Sequence, residues 1–210
     1  VNVIFVAGCA GDQNIYPRGN DSVLEKHAES LASTIQSSLA RSRTIELVHS
    51  GVSSCSSVVS LPYRQPVSIG SLRHRSKTNK GNEADCARWL LTQTHPLDRV
   101  LRGYPFPVHL WIIGDLAMVF LGGEPVVDYS HFFRAILSTK HVWTSGYSND
   151  VMGYIPSLRV LRMGGYEAGE RSTSLYCLPS MWSPFIETTI NQTVADLFTK
   201  CVGDRTPSEA

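Results

Sequence analysis

The sequence has no apolar run of the length a bilayer demands. A spanning helix needs about 18 consecutive apolar residues, and the strongest candidate, Val108 to Leu121, is broken by Gly114 and Asp115. No signal peptide is visible, and no transmembrane segment is expected. There is no excess of one charge either: 19 Lys and Arg face 18 Asp and Glu, for a net charge of +1. That balance excludes a strongly basic nucleic-acid binder or a polybasic membrane anchor as the default reading. The five cysteines, Cys9, Cys55, Cys86, Cys177 and Cys201, are widely spaced and odd in number, with no C-x-x-C pair. They predict buried or free thiols in place of a disulfide framework or zinc knuckle. No G-x-S-x-G elbow, phosphate-binding loop, H-E-x-x-H helix or calcium loop occurs. The seven histidines form no close ligand pair.

What the sequence does contain is ordinary globular material. Apolar residues make up 42% and charged residues 18% of the 210, which argues against disorder. A chain of this length fits one domain, or one piece of a larger one. It can bury about 70% of its surface without covalent staples. It begins at Val1, without Met and inside a strand-like run, which suggests a fragment or a processed chain. Repeats and linkers are absent, so residues 1–202 read as one domain with a polar tail over 203–210.

Residues 2–7 alternate and predict a buried strand. Gly8 to Gly19 reads as a loop. Ser22 and Glu25 suggest a capping box for a helix with Leu24, Ala28, Leu31, Ile35 and Leu39 on one inward face. Residues 44–60 predict strand, and Leu61 to Gly81, with Pro62, Pro66 and Gly70, predicts loop. The basic run Arg73 to Lys80 lacks the interleaved aromatics of a nucleic-acid surface and reads as solvated loop. Asn82 suits a helix cap, with Ala84, Ala87, Leu90 and Leu91 inward. Val108–Ile113 and Leu116–Leu121 predict a hairpin about Gly114 and Asp115. Pro125 suits the first position of a helix running to Leu137, and Val142–Tyr147 predicts a strand. Residues 148–182 look irregular. Ser183 and Pro184 open a last helix on Ile186, Ile190, Val194 and Leu197. The sum is an α/β fold: a mixed β-sheet with packed helices and a central antiparallel hairpin.

Three constellations could carry chemistry. The loop Gly8-Cys9-Ala10-Gly11-Asp12-Gln13-Asn14 follows the first strand, where open sheets tend to place ligands; its plainer reading is a turn with Asx capping. Glu124 falls at the expected cap of the Pro125 helix, whose positive end keeps a carboxylate ionised, as a cation ligand must be; its plainer reading is a simple cap. Tyr154 and Tyr166, 12 residues apart in glycine-rich loops, could aim phenols into one cleft to ligate a metal or donate to an oxyanion; their plainer reading is packing under loops. Cys9 as a nucleophile lacks a nearby base. The sequons at Asn20 and Asn191 fall at or in helices and read as chance matches.

The order and spacing of Gly8–Asn14, Gly114-Asp115-Leu116-Ala117, Gly122-Gly123-Glu124, Asn149 with Tyr154 five residues on, and Tyr166-Glu167 are similar to a known family. The chain resembles the C-terminal half of the catalytic domain of the neutral/alkaline, non-lysosomal ceramidases, most closely the bacterial ceramidase-like proteins. The resemblance implies a zinc-dependent amide hydrolase, with N-acyl sphingoid lipids as one substrate class and Glu124 and Tyr154 as zinc ligands. It implies that Tyr166 binds the scissile amide oxygen. Asn14 and Asp12 would orient substrate or water, Asn14 standing where the family has its Ser nucleophile. Two His ligands would come from N-terminal sequence this chain does not contain. That missing part of the same protein is then an expected partner, with a homodimer through exposed apolar surface as another. Family members are commonly exported, which favours an extracytoplasmic location. Because of Asn14, a non-catalytic binding or structural relative stands beside the enzyme reading.

Overall fold

The computed structural model describes residues 4–41, 51–94 and 100–203. The elements run α1 (Asp21–Arg41), β1 (Val52–Ser68), α2 (Ile69–Thr78), α3 (Asn82–Gln93), β2 (Val100–Ile113), β3 (Leu116–Leu121), β4 (Glu124–Pro125), α4 (Asp128–Ile136), β5 (His141–Ser145), β6 (Tyr154–Ile155), α5 (Leu158–Met163), α6 (Glu170–Leu175) and α7 (Ile186–Gly203). The fold is α/β. A mixed four-stranded sheet has the order β1-β2-β3-β5, and a two-stranded sheet pairs β4 with β6.

The central hairpin forms as its sequence dictates. Gly114 takes a left-handed φ of 57° in the tight turn between two alternating apolar runs, and Ile113 pairs with Leu116 across it. On one face Val108, Leu110, Ile112, Ala117, Val119 and Leu121 are almost wholly buried. α7 packs across β1 and β2, inserting Ile186, Ile190, Val194 and Leu197 at the i, i+4 and i+3 steps of one helix face. β5 then joins β3 in parallel, with α4 beside it. A smaller core of Val67, Ile69, Leu72 and Ala87 sits where α2 and α3 close the far end of β1.

Several expectations are corrected. Residues 4–7 form no strand, and Ile4 and Phe5 are exposed; the carbonyl of Ala7 nevertheless accepts the Gly146 N–H. Residues 1–3, 44–50 and 204–210 of the expected strands and tail lie outside the described residues, and Gly203 is the last residue of α7. α1 forms but buries none of its residues, so Leu24, Leu31, Ile35 and Leu39 are exposed, not inward. The expected loop from Leu61 is instead the second half of β1 followed by α2. β1 is an edge strand, where proline is tolerated, and its register with β2 shifts between Pro62 and Val67, which accommodates Pro66. The Arg73 to Lys80 run is therefore mostly helix. Pro125 opens no helix; it closes β4, and α4 starts at Asp128. Within 148–182, β6, α5 and α6 give regular structure where none was expected. The cysteine reading also fails in part: Cys86 and Cys177 form a disulfide, while Cys9 and Cys201 are buried as expected.

Candidate functional site

Glu124 is positioned by backbone. Gly122 and Gly123 turn the chain out of β3, and Gly123 adopts φ +63°, where an added Cβ would lie 2.6 Å from the Ile155 side chain and 2.7 Å from the Gly153 carbonyl. Only glycine fits there. Glu124 then pairs with Tyr154, and Pro125 with Ile155. The Glu124 N–H donates to the Gly153 carbonyl at 2.8 Å, and the Pro125 carbonyl accepts from Gly11 N–H at 3.0 Å. A Cβ at Gly11 would stand 2.4 Å from the Glu124 carbonyl oxygen, so the Gly8–Asn14 loop lies directly against the strand that carries the carboxylate.

Around that half-buried carboxylate the chain gathers phenols from separate segments. Tyr147 donates to Glu124 Oε2 at 3.1 Å, and Tyr176 donates to Glu124 Oε1. The Tyr154 ring meets Tyr166 edge-on at 5.6 Å between centroids and Tyr176 at 6.0 Å. Tyr147 holds a left-handed φ of 55°, an uncommon conformation for a bulky residue that concentrates at functional sites. Its N–H is fixed by the Gly123 carbonyl at 2.8 Å. Tyr176 is carried in by the segment after α6, which the Cys86–Cys177 disulfide ties to α3. Trp182 fixes the floor: its indole N–H donates to the Tyr154 carbonyl at 2.8 Å while its ring stacks on Tyr63.

The electrostatics follow from this arrangement. Burial, then the charge and hydrogen bond of Glu124, push the Tyr147 phenol up to about 12. Tyr176 is raised chiefly by its hydrogen bond to Glu124, and Tyr154 by burial and the same carboxylate. Ionising a phenol beside an existing negative charge is unfavourable. These phenols are therefore proton donors at neutral pH.

The structure thus brings Glu124, Tyr154 and Tyr166 together. It engages Asp12 elsewhere: one carboxylate oxygen accepts the Val127 N–H at 2.8 Å, at the start of α4, and the other lies 3.7 Å from Arg159. The carboxylate that meets the chain entering that helix is Asp12, not Glu124, and Asp128 stands in its first turn. Asn14 is exposed, and no hydrogen bond among the described residues ties its side chain to the cluster. The sequence reading names neither Tyr176 nor Tyr147 as a site residue. One signal was available, since four of the eight tyrosines fall between positions 147 and 176.

No protein-family profile matches the chain, and no curated protein sequence matches it. Solved structures similar to part of the chain include the neutral ceramidase from Pseudomonas aeruginosa, at 18% identity and a TM-score of 0.42, covering 70% of this chain and 28% of that one. A ceramidase complexed with C2 is similar at 17% identity and a TM-score of 0.39, over 73% and 27%. The chain therefore spans about a quarter of the length of either.

A catalytic zinc takes about three protein ligands. Among the described residues no group of three or more His, Cys, Asp and Glu could hold a metal. Both oxygens of Glu124 already accept hydrogen bonds from phenol O–H groups.

Proposed function

We propose that this chain is part of a ceramidase-like amide hydrolase and that the Glu124–tyrosine cluster forms one wall of its site. The observation that carries the proposal is the convergence of one carboxylate and four phenols, from five separate segments, on a partly open surface. The motif resemblance through Gly8–Asn14, Glu124, Tyr154 and Tyr166 supports the same reading. In it, Glu124 holds Tyr147 and Tyr176 by their phenol protons and so fixes the cluster. Tyr166, 42% exposed and packed on Tyr154, presents its phenol O–H to donate to the amide oxygen. That bond strengthens as the oxygen gains charge in the transition state. The substrate class is a linear N-acyl amide with an apolar body, of which an N-acyl sphingoid lipid is one example. Zinc ligation by Glu124 and Tyr154 belongs to the proposal only together with ligands from sequence outside this chain, and no step is drawn through it. Asp12 and Asn14 border the site through the Gly8–Asn14 loop, orienting substrate or water. The Cys86–Cys177 disulfide supports an oxidising, extracytoplasmic compartment.

One observation favours a second reading, a non-catalytic relative: Asn14 stands exposed where a nucleophile would be needed. The deciding experiment measures hydrolysis of a short-chain N-acyl amide, together with zinc content, in full-length protein carrying this chain. Glu124→Ala is expected to abolish turnover and lower zinc content. Tyr166→Phe is expected to lower kcat about 100-fold, the loss typical of one oxyanion donor, with KM little changed. Wild-type turnover that survives Glu124→Ala overturns the proposal, and a wild-type protein with no turnover supports the non-catalytic reading.

A further inference from the structure

The segment that carries Tyr166 and Tyr176 is joined only lightly to the rest of the chain. From Gly164 to Leu178, a stretch that includes α6, Ser172 is the one buried residue. The backbone hydrogen bonds of Gly165–Leu178 close within the segment: Gly169 donates to Tyr166, Thr173 to Gly169, Tyr176 to Ser172, Cys177 to Ser174 and Leu178 to Thr173. Few ties leave it. Asn82 donates to the Ser174 carbonyl at 3.0 Å, the Tyr176 phenol donates to Glu124, and Cys177 is bonded to Cys86 on α3. Ala168 and Leu178 add apolar contact while only partly buried. A short helix with so little buried apolar surface belongs to the part of a fold that opens locally, well before global unfolding.

The two ends differ. Gly164 and Gly165 both take left-handed φ, 74° and 99°, and a Cβ at Gly164 would meet nothing within 4 Å, so the entry is an open glycine pivot. At the exit Pro179 is buried and its carbonyl accepts from Arg75 at 3.2 Å, which fixes the chain there. Between pivot and anchor, the covalent tie is the bond to Cys86. Both cysteines line an open cleft of about 600 Å³, and Cys177 is half-buried, so a small thiol has a path to the bridge. Cys177 also holds a left-handed φ of 54°, a costly state for a residue with a Cβ, which relaxes more readily once the S–S bond no longer fixes its side chain.

We propose that the Cys86–Cys177 bond is a redox latch: closed, it holds the 164–178 strap and with it Tyr166 and Tyr176 against Glu124; opened by a dithiol, it frees the strap and disperses the phenols. In the opening step a thiolate of the dithiol attacks one sulfur of the bridge, the S–S bond breaks and a mixed disulfide forms. The second thiol of the reagent then displaces the protein sulfur. The dithiol leaves as its own disulfide, having given two electrons and two protons, and Cys86 and Cys177 become thiols. The latch is closed in oxidising surroundings and open where dithiols prevail. Its consequence for turnover rests on the hydrolase reading; the release of the strap does not.

The test takes the full chain through buffers of reduced and oxidised dithiothreitol. Thiol alkylation with mass spectrometry reports the bridge, and hydrogen–deuterium exchange reports the backbone. On reduction, exchange over residues 165–178 is expected to quicken about tenfold or more while residues 108–121 of the hairpin keep their protection. Reoxidation should restore the starting rates, a readout that needs no variant to fold. Cys86→Ser with Cys177→Ser should exchange at the reduced rate in every buffer. In full-length protein carrying this chain, reduction should lower turnover of a short-chain N-acyl amide by at least the loss expected for Tyr166→Phe. Exchange decides the latch whether or not substrate is turned over, so failure of the hydrolase reading shows as absent turnover with the strap still responding. A bridge that the dithiol cannot reduce in the folded chain, exchange over 165–178 that ignores reduction, hairpin protection lost together with it, or measurable turnover unmoved by reduction overturns the inference.

Discussion

Removing the Cys86–Cys177 disulfide gives the sharpest stability prediction. The bridge joins positions 91 residues apart, so it closes a large loop in the unfolded chain. In the chain-entropy account, constraining a loop of that length stabilises the native state by about 4–5 kcal/mol. For a chain of about 200 residues each kcal/mol shifts the midpoint by about 2–4 °C, so Cys86→Ser with Cys177→Ser should lower Tm by about 8–20 °C. A local consequence accompanies the global one. Cys177 holds a left-handed φ of 54° and directly follows Tyr176, the donor to Glu124, so the cluster should loosen before the sheet melts. Calorimetry of the oxidised wild type and the double variant reads the first effect, and amide exchange over residues 170–178 reads the second. If mass spectrometry confirms the bridge and Tm moves by less than about 3 °C, the reasoning is refuted.

Gly123→Ala should destabilise the protein by more than about 2 kcal/mol in urea unfolding, because its Cβ meets Ile155 and the Gly153 carbonyl under 3 Å at a left-handed φ; a change under 0.5 kcal/mol contradicts the placement of Glu124. Leu31→Asp with Ile35→Asp on α1 should change stability of this chain by less than about 0.5 kcal/mol, since that helix buries no residue; a large loss in the same assay means the face is covered. Alkaline titration should show Tyr147 ionising at about 12, above its ordinary 10. Because the folded value is raised, its contribution to stability is full below pH 10 and disappears as pH rises through 12, and Tyr147→Phe should flatten that limb. Burial pushes the Cys9 thiol up to about 12, so iodoacetamide at pH 8 should modify Cys55 and spare Cys9; peptide mapping that finds Cys9 labelled in the native state contradicts its burial.

Some of this architecture is legible in sequence and some is not, for identifiable reasons. The hairpin about Gly114 and the apolar stripe of α7 are local patterns, and each is read correctly because burial follows the period. Glu124, Tyr154 and Tyr166 stand out through glycine-flanked positions and a motif resemblance, and the fold brings the three side by side. α2 carries only Ile69 and Leu72 as buried residues, too few to show a helical stripe among polar neighbours. β2 tolerates Pro105 and Pro107 because β3 pairs only with Val108–Ile113, leaving residues 100–107 flanked by β1 alone. That Asp12, not Glu124, meets the start of α4 is a tertiary event. Asp12 reaches Val127 across 115 positions, and no local signal reports that. α1 shows the opposite failure, because its pattern predicts an inward face that no described element covers.

The central claim is that Glu124 organises the tyrosine cluster. A double-mutant cycle of Glu124→Gln and Tyr176→Phe, measured by urea unfolding, tests it most directly, since it isolates the pairwise coupling. A phenol donating to a partly exposed carboxylate should give a coupling energy of about 1–2 kcal/mol. Additive losses, with coupling below about 0.3 kcal/mol, would show that the carboxylate does not hold the phenol and would contradict the account.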